Sequence, residues 1–177
     1  MTTAPFYKVW QKLNDDSFEL VSKLGKECHM EIVTIQSEFE CNFFGSNGEF
    51  IKGIRGNEPS TINFLNEQNK VIASVRTVKQ FFMTYVLNIG QISYLVSAEN
   101  SPFASITISQ GSNKLVEVAK DQKSEEDKLA YLTTSPSYPL LLDCLVMHLF
   151  LPLLQINQNF NTSSLVQNSQ LPFQTNL

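Results

Sequence analysis

Charge is scarce in this chain. Only 17% of its 177 residues are charged, against about a quarter in an ordinary soluble domain. The balance is acidic, with 13 Lys and Arg against 17 Asp and Glu and a net charge of −4. Nucleic-acid binding calls for a strongly basic footprint overall, so no nucleic-acid partner is expected, although a basic patch can still exist locally. Cysteine is also sparse. Cys28, Cys41 and Cys144 are odd in number and show no C-x-x-C spacing, which excludes a disulfide framework or a zinc site. They read as reduced thiols of a cytosolic protein, with Cys144 as a small hydrophobe in an apolar run. Histidine is limited to His29 and His148, and no GxSxG, HExxH, P-loop or GxGxxG pattern occurs. No catalytic residue, cofactor or metal is expected, and the chain reads as a non-enzyme.

A spanning apolar segment is missing too. The greasiest stretch, YPLLLDCLVMHLFLPLL from Tyr138 to Leu154, contains Asp143, His148 and Pro152. It falls short of the ~20 apolar residues that cross a bilayer, and a charge at mid-membrane is costly. It reads as a buried core helix. The opening MTTAPFYKVWQKLNDD lacks the apolar centre of a secretory signal. The expected location is the cytoplasm, with peripheral contact to membranes.

What the chain does have is apolar material, 42% of its residues, and a repeated two-residue rhythm. Phe39, Cys41 and Phe43 alternate with Glu38, Glu40 and Asn42, which puts one strand face in a core and the other in water. Gly45-Ser46-Asn47-Gly48 follows, and Asn-Gly is a strong hairpin signal because both residues tolerate positive φ. A return strand is predicted from Glu49 to Ile54. Ile62 and Phe64, a turn over 66–69, and Val71, Ala73 and Val75 predict a second hairpin. Phe81 to Ile89 is almost continuously apolar and predicts a strand buried on both faces. Gly90-Gln91 turns the chain into Ile92, Tyr94 and Val96. Pro102 breaks the pattern. Ala104, Ile106 and Ile108, a turn over 110–113, and Leu115 to Ala119 predict another hairpin. A charged loop over 120–128 precedes a last strand, Leu129 to Thr133. Residues 1–14 read as an N-terminal arm or short helix, because Phe6, Val9, Trp10 and Leu13 recur at helical spacing. Trp10 in that stripe reads as a docking or core residue. Residues 157–177, rich in Gln and Asn, read as a disordered tail.

The sum is one domain over 15–156 with ten to twelve short strands and a helix that is apolar on nearly every side. Such a helix must be enclosed. The fold class expected is therefore mostly β, an antiparallel β-barrel enclosing a C-terminal hydrophobic helix.

A strand meander ending in one apolar helix resembles the tubby C-terminal-like superfamily: tubby domains, phospholipid scramblases and LURP-one-like proteins. The local match is Tyr138-Pro139-Leu140-Leu141-Leu142-Asp143, which looks like the aromatic-Pro-Leu-x-Leu-Asp lead-in to the scramblase terminal helix. The hairpin from Ile62 to Val75 also looks like those of the family. The resemblance implies a closed barrel around the helix, and a module that binds anionic phospholipid head groups or a protein partner at the cytoplasmic face of membranes. Scramblases carry an acidic, calcium-associated stretch before the lead-in. Here residues 132–137 read LTTSPS, with no carboxylate, so calcium dependence is not expected. The cysteine-rich cluster and the proline-rich N-terminus of scramblases are absent as well.

The candidate anion-binding residues are Lys52, Arg55, Lys70, Arg76 and Lys79, which fall in two neighbouring hairpins and would suit an anionic head group. The helix lead-in supplies Tyr138, Pro139, Leu140, Leu142 and Asp143. A carboxylate at the start of a greasy helix must be satisfied. It would cap nearby backbone N–H groups, or line a ligand cavity. His148 reads as a buried histidine bonded to backbone. Two other functions fit the pattern: a protein-interaction module without lipid binding, and a lipocalin-type carrier of a small hydrophobic ligand, which needs an empty interior.

Overall fold

The structure, a computed structural model, describes residues 6–35, 38–55, 61–79, 84–99, 105–119, 128–134 and 138–156. Twelve strands follow in order: β1 (Phe6–Asn14), β2 (Ser17–Ser22), β3 (Gly25–Ile35), β4 (Glu38–Gly45), β5 (Phe50–Arg55), β6 (Ile62–Leu65), β7 (Val71–Lys79), β8 (Thr84–Ile89), β9 (Ile92–Glu99), β10 (Ser105–Gln110), β11 (Asn113–Ala119) and β12 (Lys128–Thr133). Among the described residues one helix, α1 (Leu140–Ile156), follows the strands.

Each strand pairs antiparallel with its neighbour in the chain, and β12 returns to β1 through Phe6↔Thr133 and Trp10↔Leu129, so the barrel is closed. Closure removes the unpaired edges that an open sheet would expose. The two-residue period then does its work: each strand turns about two large residues inward, such as Phe18 and Leu20 on β2, Val116 and Val118 on β11, and Ile106 and Ile108 on β10. Gly48 (φ 86) and Asn69 (φ 56) supply the left-handed backbone of two of the tight turns.

About eight strands enclose a space that side chains alone can fill. Twelve leave more, and α1 takes it up. Every residue from Leu141 to Leu149 is buried, none more than 5% exposed. Nine consecutive helical residues look in all directions, so this segment is surrounded on all sides, as a helix without a polar face requires. The helix continues through Pro152 to Ile156. Among the described residues, no helix is long and apolar enough to cross a membrane.

Two readings of the sequence are corrected. Phe6–Asn14 is a strand, β1, not an arm or helix. Phe6, Lys8 and Trp10 share one face, and the neighbours β2 and β12 fix the extended backbone by pairing on both sides. In β8, Tyr85 and Leu87 are buried while Thr84, Val86 and Asn88 are only half-buried, because the outer face of a closed barrel has no second layer to cover it. Residues 1–5, 80–83, 100–104, 120–127 and the tail 157–177 lie outside the described residues.

Candidate functional site

Among the described residues the buried Lys8 and Asp143 meet at one place inside the barrel, and the sequence marks it from two ends. On β1, Lys8 falls at an inward position between Phe6 and Trp10. On α1, Asp143 lies in the first turn of the helix. Insertion of the helix brings them together. The Lys8 Nζ donates to Asp143 Oδ2 at 2.8 Å and to Glu27 Oε2 at 2.5 Å, Glu27 standing near the start of β3. The second carboxylate oxygen, Asp143 Oδ1, accepts from Tyr131 Oη on β12 and from Tyr138 Oη before the helix, each at 2.6 Å. The Tyr138 ring also faces the ammonium, with Lys8 Nζ 4.6 Å from its centroid. Lys8 and Asp143 are 3% and 1% exposed, so each charge depends on these partners rather than on water.

The electrostatics follow from this geometry. Burial pulls the Lys8 ammonium down, but the carboxylates of Asp143 and Glu27 outweigh it and hold the group above lysine's ordinary value. Burial raises the Asp143 carboxyl above the usual carboxylate range, against the opposite pull of Lys8 and the two phenols. Tyr131 and Tyr138 are driven well above the ordinary phenol value, first by burial and then by the Asp143 charge. Both therefore stay protonated as donors. The carboxylate meets three donors and the ammonium two carboxylates, which is the condition for keeping such charges inside. Chemically this is a latch, tying α1 to β1 and β12 and, through Glu27, to β3.

The lead-in residues now have places. Tyr138 and Asp143 are joined by the hydrogen bond above, across five positions. Pro139 is exposed and precedes the helix, where its fixed φ suits a first turn. Leu140 lies over Gly45, its Cδ2 3.0 Å from where a Cβ would stand, and Leu142 is fully buried. Asp143 thus takes side-chain donors, not the backbone N–H groups expected of a capping residue.

Higher in the barrel, His148 is buried beside Gly53 of β5. A Cβ on Gly53 would stand 3.2 Å from His148 Nδ1 and 3.2 Å from Phe64 Cε1. Glycine is required here by the closeness of helix and wall, a role that the sequence signals only as a lone Gly inside a strand. Trp10, also inward, is fully buried with its ring 6.2 Å from Phe43, so it is a core residue. Cys28, Cys41 and Cys144 are buried thiols.

The five candidate basic residues do not gather at one spot. Lys52 points outward from β5, half-buried, and pairs with Glu40 at 2.9 Å. Lys70 is exposed at the end of the β6–β7 turn, where Asn66 organises the backbone. Arg76 is exposed on β7, opposite Val86. Arg55 and Lys79 end β5 and β7 at the other mouth of the barrel from Lys70, and their side chains lie outside the described residues. His29, on β3, is half-buried with its Nε2 3.3 Å from Glu31.

Compared with known proteins, the chain matches no family model, no curated protein and no solved structure.

Proposed function

We propose that this chain is a non-enzymatic barrel module of the tubby and scramblase kind, which binds anionic phospholipid head groups at the cytoplasmic face of a membrane. One observation supports the reading above others: a closed twelve-stranded antiparallel barrel wraps a C-terminal helix, the architecture that the Tyr138–Asp143 lead-in implies by resemblance. The carrier alternative is less favoured, because α1 occupies the space that a ligand would need.

Co-sedimentation with vesicles tests the proposal. Phosphatidylserine or phosphoinositide vesicles should pellet the protein, and neutral phosphatidylcholine vesicles should pellet less. Added salt should weaken binding, because surface electrostatics are screened over about 10 Å at 0.1 M. Equal supernatant fractions with neutral and anionic vesicles would overturn lipid-headgroup recognition.

A protein-interaction module without lipid binding is the second reading. The specific observation in its favour is that Lys52, one of the five candidate cations, is already neutralised by Glu40. Native co-purification of one stoichiometric partner, with no vesicle binding, would select it.

A further inference from the structure

In an up-and-down barrel every second connection lies at the same end. Here the β2–β3, β4–β5, β6–β7, β8–β9 and β10–β11 turns all surround the mouth through which the helix goes in, since β12 reaches that mouth at Thr133 and Leu140 lies over Gly45. Seven large apolar residues are exposed among the described residues. Five of them stand at this mouth: Leu24 (71%) in the β2–β3 turn, Tyr7 (61%) near the start of β1, Val71 (52%) and Ile92 (45%) as first residues of β7 and β9, and Phe44 (40%) beside the β4–β5 turn. Scattered apolar residues are ordinary, but a set gathered on one rim marks a contact surface.

The charges around this rim indicate what it meets. Lys23 and Lys26 flank Leu24, Lys70 precedes Val71, and Lys114 follows the β10–β11 turn; all four are exposed. The exposed carboxylates on these turns are Glu49 and Glu67. Lys26 and Lys114 also pair with Glu19 and Glu117, lower on the wall. Of these, only Lys114–Glu117 is exposed on both sides, and exposed pairs hold little energy and exchange readily for other anions. The described turn at the opposite mouth is Asp15-Asp16, both exposed. Among the described turns, those at the helix mouth thus carry apolar tips and lysines, whereas Asp15-Asp16 carries carboxylates, Asp15 paired with Lys12.

We propose that the mouth holding the helix is a membrane-docking surface, whose apolar turn tips enter the boundary between head groups and acyl chains while the lysines lie at the level of anionic phosphates. This rests on the lipid-binding reading above and names the face that performs it. It places docking on the turn tips rather than on the β5–β7 wall.

The test compares vesicle partitioning of the intact protein with that of Leu24→Ser/Ile92→Ser, with Lys23→Glu/Lys70→Glu, and with Leu13→Ser at the opposite mouth. The substituted side chains are solvent-exposed, and unchanged thermal unfolding verifies that each variant is folded. On phosphatidylserine–phosphatidylcholine vesicles, the apolar double variant should lose about tenfold or more in partitioning, as removal of two inserted side chains implies. The lysine variant should lose most of its preference for anionic over neutral vesicles. Leu13→Ser should partition like the parent protein. If the parent binds and the rim variants bind equally well, the docking face is wrong and the lipid-binding reading stands. If the parent binds no vesicle, both fail. If the parent instead forms a dimer in solution that Leu24→Ser/Ile92→Ser dissolves, the rim is covered by a second copy and the membrane assignment is overturned.

Discussion

At the scale of the residue, one buried ionic cluster ties the helix to the barrel wall. Asp143 was legible in the sequence as an anomaly, a carboxylate in a greasy helix. Its partners were not, because Lys8 lies 135 positions away and only barrel closure brings β1 and β12 together around the helix. Tyr138 was marked as the aromatic residue of the helix lead-in but not as a partner of Asp143, and Tyr131 gave no signal beyond its apolar surroundings. The cluster makes a prediction of its own. Lys8→Met removes one member of a buried pair and leaves Asp143 without its cation, so it should destabilise the fold by about 3–5 kcal/mol at neutral pH. Adding Asp143→Asn removes the stranded charge and should recover part of that loss. Denaturant unfolding of the parent, of Lys8→Met and Asp143→Asn singly, and of the double variant measures both effects. If the losses of the single substitutions simply add, Lys8 and Asp143 are not coupled.

At the scale of the element, the strands were readable wherever a residue pattern had one interpretation. Phe39, Cys41 and Phe43 fell into β4, and the Gly45 to Gly48 stretch falls at the turn that follows it. The β1 segment held two patterns at once: Phe6, Val9, Trp10 and Leu13 at helical spacing, and Phe6, Lys8 and Trp10 in alternation. The lysine concealed the second, since an inward cation looks like an outward residue until its carboxylate is known. The contact between α1 and β5 was likewise invisible, because Gly53 is identified by what it lacks. With the helix this close to the strand, Gly53→Val should overpack the interior and destabilise the protein by about 1–3 kcal/mol. Its outward neighbour Ile54→Val should change stability much less. Thermal unfolding of the pair reads the difference, and equal midpoints would mean that the helix does not press on this strand.

At the scale of the whole molecule, enclosure binds chemistry to stability. The thiol of Cys144 is pushed above its ordinary 9.0, and Tyr85 is pushed up to about 12 from 10.0, both by burial first. Tyr131 and Tyr138 are raised further, and Lys8 is raised above 10.5. In the unfolded chain these groups lose protons near their ordinary values, while the folded chain retains them. The folded state therefore binds more protons, and stability must fall as pH rises from about 9 upward. Denaturant midpoints across the alkaline range should decline steeply, with the tyrosinate absorbance of the buried phenols appearing only on unfolding. Tyr131→Phe and Tyr138→Phe each remove one such group and should flatten the decline.

Everything above depends on α1 lying within the barrel, and native-state hydrogen exchange tests that most directly. With the helix surrounded by strands, the amides of Leu141 to Leu149 should exchange only when the entire molecule unfolds, in step with the inward strands and with the same denaturant dependence. Rapid exchange of those amides while the strands stay protected would mean that the helix leaves a barrel that remains closed, which contradicts enclosure as the basis of the fold.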